Sequence, residues 1–220
     1  SCWIRSEWQH FKLSESEIAE GLDPWEEDLV GPFVKAGESV LVIGSGSGRE
    51  IIPLGQRGCH VTCVEPASQP FDMACRVVRE RHIPATMVEG FFEDVSLSGR
   101  FAVVMFSWNC YGLIPDSRRR VDALRKAASL LSPGGHILLS YGTFPRPHPL
   151  STWVAQVVGT ISGSDWRIES GDILRRQGSS FGFRHVFTPE EIEAEVAAAG
   201  LRVVYRGHFP DDPTMALTAP

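Results

Sequence analysis

Strand-like and helix-like patterns of hydrophobic and polar positions alternate over the middle of the chain. Residues 38–44 contain a continuous apolar run of buried-strand length. Residues 70–82 instead carry apolar side chains at helical spacing. The alternation continues to residue 141 and predicts repeated βα units, which build a doubly wound, mainly parallel α/β sheet. The predicted strands are 38–44, 60–66, 85–90, 100–108 and 136–142, and the predicted helices are 49–58, 70–82 and 117–131.

The pattern changes after Gly142. Residues 143–185 show no regular period, and so long an excursion in a compact domain is usually a lid or a binding element. A helix resumes at Thr188, which forms the pattern of a capping box with Glu191. We therefore expect a single domain over residues 1–220. Its predicted parts are an N-terminal helical cap (1–37), a core (38–141), a lid insertion (142–186), and a closing part (187–220) with one helix (188–200) and two antiparallel strands (201–209 and 214–219).

The composition is that of an ordinary globular protein. Of 220 residues, 43% are hydrophobic and 22% are charged, which allows a sizeable core without disulfides or metals. The five cysteines include no C-x-x-C pair, a pattern typical of reduced thiols in the cytoplasm. No apolar run reaches the roughly 20 residues of a membrane helix, and no signal peptide is recognised. We expect a cytoplasmic protein without a membrane partner.

Charge and residue spacing limit the partners further. The formal net charge is -6, and the clearest basic cluster is Arg118–Arg120. A nucleic-acid-binding surface normally carries a broader basic stripe, so we expect no nucleic-acid partner. Acidic residues and histidines do not show metal-ligand spacing, so we also expect no metal. The sequence does not indicate an oligomeric state.

Three glycines follow the first predicted strand at alternate positions. Gly44, Gly46 and Gly48 have no Cβ, so an adenosine-bearing cofactor can lie directly against their main chain. A tight turn that needs glycine only for its backbone angles is the alternative. Glu65 ends the second strand, 21 residues after Gly44, where an acid can reach both hydroxyls of a ribose. The spacing is G-x-G-x-G with Arg49 in place of a third glycine of G-x-G-x-x-G, which disfavours a dinucleotide.

Five segments in this order resemble the class I S-adenosylmethionine-dependent methyltransferases. They are "VLVIGSGSG", "VTCVEP", "MVEGFFEDV", "FAVVMFSWNCYGLIP" and "LLSPGGHILLS", and the tail "FRHVFTPEEIEAEVAAAGLRVV" resembles that of bacterial small-molecule methyltransferases. The resemblance implies a Rossmann-like fold with seven strands, a mainly parallel sheet and an antiparallel C-terminal strand. It also implies S-adenosylmethionine as the cofactor and S-adenosylhomocysteine as the product.

The resemblance also implies a set of cofactor-binding residues, with two departures from the family. The family often has an acid two residues before the first glycine, where this chain has Val42, and an Asp after the glycine of the adenine segment, where this chain has Phe91. We expect Phe91 or Phe92 to pack on the adenine, while Glu93 or a main-chain group reads its amine. The predicted cofactor-binding residues are Gly44, Ser45, Gly46, Gly48, Glu65, Pro66, Phe91, Phe92, Glu93, Ser107 and Trp108.

The acceptor side is predicted from the end of the fourth strand and from the insertion. His185 is the first choice for a general base because of its near-neutral pKa, with Tyr111 as a second catalytic candidate. A purely structural role is the alternative for His185, and a core role is the alternative for the aromatic residues. The predicted acceptor-binding residues are Asn109, Tyr111, Trp153, Trp166 and His185.

These features favour a transfer of methyl from S-adenosylmethionine to an oxygen or nitrogen of a small molecule, with specialised metabolism as one setting. The displacement is in line, and the protein mainly aligns the acceptor and excludes water. Two alternatives stay open: a nicotinamide-dependent oxidoreductase and a non-catalytic protein that binds adenosylmethionine. A base-methylating enzyme of DNA or RNA is disfavoured, because "SWNC" stands where those enzymes carry an Asn/Asp-Pro-Pro-aromatic run.

Overall fold

The computed structural model describes residues 8–9, 13–143, 150, 153–154, 156–157, 160, 168–177, 180–209 and 211–220. Its helices are α1 (Glu15–Glu20), α2 (Pro24–Phe33), α3 (Ile51–Gln56), α4 (Ser68–Glu80), α5 (Ser117–Ser129), α6 (Pro189–Ala198) and a short 3-10 helix (Cys110–Leu113). Its strands are β1 (Ser39–Ile43), β2 (His60–Glu65), β3 (Ala85–Glu89), β4 (Phe101–Phe106), β5 (Leu131–Ser140), β6 (Asp172–Gln177), β7 (Ser180–His185), β8 (Arg202–Arg206) and β9 (Thr214–Thr218).

Seven strands form one sheet in the order β3-β2-β1-β4-β5-β9-β8. The first five pair in parallel, and β9 pairs antiparallel with both β5 and β8. This confirms the predicted Rossmann-like sheet and its antiparallel C-terminal strand. The chain order reverses between β1 and β4, and ligands of such sheets bind beside that point, at the carboxyl ends of the strands.

Strand β1 is apolar from Val40 to Ile43 because both of its faces are covered there. Leu41 and Ile43 belong to the hydrophobic cluster on one side of the sheet, and Val40 and Val42 belong to the cluster on the other side. A strand buried on two faces shows no alternation in its sequence. Val42 is fully buried in the second cluster, so β1 contributes no acid to the neighbouring turn.

Strand β5 begins five residues earlier than predicted. Leu131 pairs with Phe101, but the next pair joins His136 to Val103, so the residues between form a bulge. A Cβ on Gly135 would lie 2.7 Å from the carbonyl oxygen of Ala102, which explains the glycine in this bulge. The "SPGG" segment is therefore an irregular first part of the strand.

The insertion contains a β-hairpin that the sequence pattern did not predict. Strands β6 and β7 pair antiparallel, from Asp172 opposite His185 to Gln177 opposite Ser180. β6 reads "DILRRQ", which lacks the alternation of a half-buried strand. The assignment of 142–186 as a lid stays a prediction. In the described part of the chain, no helix is long and apolar enough to cross a membrane.

Candidate active site

A cavity of about 300 Å³ opens at the carboxyl ends of β1, β2 and β4. Its wall includes Ile43 at the end of β1, Glu65 at the end of β2 and Ser107 just after β4. The N-terminal segment also contributes to the wall through Leu13, together with Glu17 and Glu20 of α1. The cavity thus lies where a doubly wound sheet binds its ligands.

The glycine turn has a different reason for glycine at each position. All three residues have left-handed backbone angles, with φ of +73° at Gly44, +51° at Gly46 and +90° at Gly48. A Cβ on Gly44 would lie 2.9 Å from the Cβ of Cys110, and one on Gly48 would lie 3.2 Å from Ala74. A Cβ on Gly46 would meet no atom within 4 Å, and Gly46 lines the cavity. Protein packing therefore requires two of the glycines, while Gly46 presents its bare backbone to the cavity.

Glu65 is fixed at the cavity wall by two backbone donors. Its Oε2 accepts a hydrogen bond from the N–H of Gly46 and its Oε1 accepts one from the N–H of Ala67, both at 2.9 Å. Burial raises the pKa of Glu65, and these two hydrogen bonds oppose that rise. Each carboxylate oxygen retains a further lone pair. The carboxylate therefore fits the two hydroxyls of a ribose.

The adenine segment places Phe91, Phe92 and Glu93 on the cavity wall. Phe92 is also part of the core, because it is 3% exposed and packs edge-on against Phe106. Lys126 donates from Nζ to the carbonyl oxygens of Phe92 and Glu93, which holds this segment against α5. Phe91 is the more accessible ring of the pair and thus the better candidate for contact with a base.

Alanine at these two adjacent positions is expected to separate binding from stability. Phe91→Ala should weaken binding of S-adenosylmethionine by about tenfold, because a base stacked on an aromatic ring gains about 1–3 kcal/mol. Phe92→Ala should lower the free energy of unfolding by about 3–5 kcal/mol, because it empties a core position. Titration calorimetry and urea denaturation of both variants check this. An unchanged affinity in Phe91→Ala would contradict the contact.

Two further features of the wall indicate a ligand site. Ser47 lines the cavity at 1% exposure, and its hydroxyl has no hydrogen-bond partner among the described residues. Buried polar atoms in native proteins nearly always have a partner, so this hydroxyl fits the polar part of a ligand. Trp108, which is 46% exposed, and Asn109 have left-handed backbone angles, with φ of +31° and +60°. Such angles in successive non-glycine residues often occur at functional sites.

Arg49 is the centre of an ion cluster beside the glycine turn. It donates to the carbonyl oxygen of Gly21 at 2.7 Å and to Asp23 Oδ2 at 3.2 Å. It also donates to Glu26 Oε1 at 2.8 Å and to Glu50 Oε1 at 3.2 Å. Arg49, which stands in place of a third glycine, therefore links α2 to the start of α3 through these ion pairs.

A family model described as a methyltransferase domain matches residues 18–206. The chain belongs to this methyltransferase family. The match extends from the second half of α1 to the end of β8 and so includes the glycine turn and Glu65. The family predicted from the five sequence segments is thereby confirmed.

Two curated relatives of this chain are matched over part of their length. Cypemycin N-terminal methyltransferase of Streptomyces sp is 32% identical over 103 residues, which are 47% of this chain and 41% of that protein. Ribosomal RNA small subunit methyltransferase G of Mycolicibacterium gilvum (strain PYR-GCK) is 30% identical over 117 residues, which are 52% of this chain and 49% of that protein. The chain covers less than half the length of either relative.

A solved structure shares the fold over nearly the whole chain. The glycopeptide N-methyltransferase MtfA, in complex with S-adenosyl-L-methionine, superposes with a TM-score of 0.63 at 18% sequence identity. The match covers 91% of this methyltransferase and 89% of MtfA. This likeness agrees with the sheet order described above and confirms the predicted fold.

Two predicted acceptor-binding residues, Tyr111 and Asn109, lie away from the cavity wall that the structure describes. Tyr111 is fully buried and donates its hydroxyl to Glu195 Oε2 at 2.7 Å. Asn109 donates its backbone N–H to Ser140 Oγ at 2.8 Å and does not belong to the cavity wall. The structure therefore places both residues away from the described cavity wall, and their acceptor-binding and catalytic roles stay predictions.

His185 also lies outside the described cavity wall, and its role as a general base stays a prediction. It ends β7 fully buried, with Nδ1 2.6 Å from Asp172 Oδ1 and Nε2 3.4 Å from Glu191 Oε1. Burial lowers the pKa of His185, but the hydrogen bond with Asp172 and the nearby Glu191 carboxylate raise it, and the net pKa lies above the ordinary value. The ring is thus a structural link between the hairpin and α6.

This link should make part of the stability depend on pH. The folded pKa of His185 is raised, so its contribution is complete below the unfolded value of about 6.5 and disappears as the pH rises through the folded pKa. We expect His185→Gln to lower the melting temperature most at pH 6 and progressively less toward pH 9. Thermal unfolding of both proteins across this range checks the sign. A melting-temperature difference that is constant with pH would contradict it.

Most of the predicted cofactor residues lie on the cavity wall, whereas the predicted tryptophans of the insertion are not among the residues described there. Trp153 is 60% exposed and does not contribute to the described cavity wall, and Trp166 lies outside the described residues. Gly48 supports the turn from behind, as described above. No group of three or more metal-ligating side chains is found among the residues that the structure describes. The predicted cofactor residues on the cavity wall are Gly44, Ser45, Gly46, Glu65, Pro66, Phe91, Phe92, Glu93, Ser107 and Trp108.

Sequence reasoning missed the contribution of the N-terminal segment and of Glu50. α1 is only six residues long, but Ser14 and Glu17 form a capping box, which is a recognisable signal. Glu50 lies at the end of the glycine segment and lines the cavity at 4% exposure. An acid that follows a glycine turn at the start of a helix is the signal that could have identified it.

Proposed function

We propose that this chain transfers a methyl group from S-adenosylmethionine to an oxygen or nitrogen of a small molecule. The observation that carries the proposal is the arrangement at Gly46. Its bare backbone faces the cavity, and its N–H holds the Glu65 carboxylate at the same wall. This pairing fits S-adenosylmethionine, with its ribose bound by Glu65 while its methionine part passes over Gly46.

The cofactor, when bound, supplies an electrophilic methyl group on a sulfonium. The residues of this chain then orient the acceptor and exclude water, which is the protein's main contribution to such a reaction. Trp108 and the wall from α1 are the described groups suited to this task, since they line the same cavity as the glycine turn. Neither predicted base is needed for an acceptor that is already nucleophilic.

Charge and cavity size support a small acceptor over a nucleic acid. The cavity holds about 300 Å³, and its wall carries six carboxylates against two arginines. Arg49 already donates to the carboxylates of Glu26 and Glu50. Nε of Arg119 lies 3.4 Å from Asp116 Oδ2. A polyanion would meet an excess of negative charge here. The ribosomal relative makes RNA methylation the result to look for if small acceptors fail.

Removal of the Glu65 carboxylate tests the proposal. Glu65→Ala should weaken binding of S-adenosylmethionine and S-adenosylhomocysteine by roughly 1.5–3 kcal/mol, the range for hydrogen bonds to a charged group. Titration calorimetry with these two ligands and NADH measures it. Glu89→Ala is the matched control, because Glu89 ends β3 opposite Glu65 and does not line the cavity.

Each outcome of this titration has a clear meaning. Binding of both adenosyl ligands to the wild type, weakened in Glu65→Ala but not in Glu89→Ala, supports the proposal and justifies screening acceptors with labelled methyl. Binding of NADH instead would favour the oxidoreductase alternative. Binding without any methyl transfer to acceptors or RNA would favour the non-catalytic alternative.

A further inference from the structure

Glu50 is the most unusual charged group on the cavity wall. It is 4% exposed, and its Oε1 accepts hydrogen bonds from Ser107 Oγ at 2.6 Å and from Arg49 at 3.2 Å. Its Oε2 accepts no hydrogen bond from the described residues. The carboxylate is thus held by one oxygen, and the other oxygen remains available on the wall of a cavity between the glycine turn and the end of β4.

The surrounding cluster carries more negative than positive charge. Asp23, Glu26 and Glu50 all lie within ion-pair distance of Arg49. Burial, and then repulsion from Glu50, raise the pKa of Glu26 to about 7. Arg49 therefore does not neutralise all three acids, and a cation placed beside Glu50 would be stabilised. Arg49 itself has its donors committed and is poorly placed to bind an anionic ligand group.

We infer that Glu50 binds the α-ammonium group of the methionine part of S-adenosylmethionine. This inference rests on the proposed function. An ammonium group offers three N–H donors to a carboxylate oxygen, whereas a sulfonium offers none. The buried hydroxyl of Ser47 lies on the same turn and offers a polar contact to the same end of the ligand. The carboxylate that we assign to the ammonium belongs to Glu50, the residue just before α3. β1 supplies no carboxylate, because Val42 stands two residues before Gly44.

Three ligands that differ in their amino-acid part distinguish an ammonium contact from other roles of Glu50. S-adenosylmethionine and S-adenosylhomocysteine both carry the ammonium, and only the first carries the sulfonium charge. 5′-Methylthioadenosine carries neither but keeps the adenosine. An anchor for the ammonium therefore contributes equally to the first two ligands and does not contribute to the third.

Titration of Glu50→Gln with these three ligands tests the assignment. Gln keeps the shape of the side chain and removes its charge. We expect the affinities for S-adenosylmethionine and S-adenosylhomocysteine to fall together by about ten- to one-hundred-fold, as for a lost hydrogen bond to a charged group. The affinity for 5′-methylthioadenosine should stay within about twofold of wild type.

Glu26→Gln is the matched control. Glu26 contacts the same arginine and is fully buried, but it does not line the cavity. Its pKa of about 7 means that it is already partly protonated at neutral pH, so Gln is a close substitute. This variant should bind all three ligands like the wild type. Should Glu50→Gln fail to fold, Glu50→Asp, which withdraws the carboxylate by one methylene, should give the same pattern.

Three results would overturn the assignment. Equal weakening of all three ligands would show that Glu50 only supports the turn. Weakening of S-adenosylmethionine alone would make Glu50 a counter-ion of the sulfonium, and no weakening at all would remove it from the site. In each case the wild type still binds, so the proposed function survives. Failure of the wild type to bind any of the three would overturn both.

Discussion

Gly46→Ala is expected to weaken S-adenosylmethionine binding by roughly ten- to one-hundred-fold or more. The added methyl group would point into space that is open in the protein and that we assign to the ligand. A methyl group forced into a filled contact costs about 1–3 kcal/mol. The affinity is measured by titration calorimetry, and folding by circular dichroism and thermal unfolding.

Gly37→Ala provides a control for the backbone effect of this change. Gly37 also has a left-handed backbone, with φ of +79°, and a Cβ there would likewise meet no atom within 4 Å. Both alanines should therefore carry a similar strain of about 1–2 kcal/mol in stability. Only Gly46→Ala should lose cofactor affinity. Equal affinities in the two variants would mean that the ligand does not pass over Gly46.

Arg120→Met is expected to lower the free energy of unfolding by about 3–5 kcal/mol, because it leaves buried acids without a counter-charge. Arg120 is fully buried and donates to Glu195 Oε1 at 2.7 Å and to Glu169 Oε2 at 2.9 Å. Tyr111 donates to the same Glu195. This network joins α5 and α6 to the residues that precede the hairpin. Urea denaturation followed by circular dichroism measures the change.

Arg125→Met on the same helix is the control. Arg125 is 54% exposed and pairs with Asp122, also exposed, at 3.0 Å. Exposed ion pairs contribute about 0–1 kcal/mol, so this variant should be nearly as stable as the wild type. Glu195→Gln added to Arg120→Met should recover part of the loss by removing the unpaired charge. A similar cost for both arginines would show that the buried network does not hold the fold together.

The parts of the fold that the sequence predicted correctly are those whose cause is local. β1 is continuous in apolar residues because both of its faces are buried, and this can be read without knowing its neighbours. The glycine turn and Glu65 follow their strands directly, so parallel pairing brings them to one edge. Their positions in the cavity wall were therefore predictable from order along the chain.

The parts that were missed depend on contacts between distant residues. His185 meets Asp172 across a hairpin, and Tyr111 meets Glu195 from 84 residues away. A histidine or tyrosine near a predicted crevice resembles a catalytic group in sequence, and only the fold shows that the Tyr111 hydroxyl and His185 Nδ1 already have partners. Glu50 was missed although its position is local. It directly follows Arg49, and the glycine spacing was interpreted at Arg49 alone.

The cavity wall combines residues at the ends of sheet strands with residues of an N-terminal helix. The glycine turn and Glu65 are held by the central strands, so a change there disturbs the sheet. Glu17 and Glu20 of the cavity wall instead lie on a six-residue helix that precedes the sheet and takes no part in it. Evolution, or an engineer, can therefore vary this helix to alter which molecules enter while the sheet-borne half stays constant.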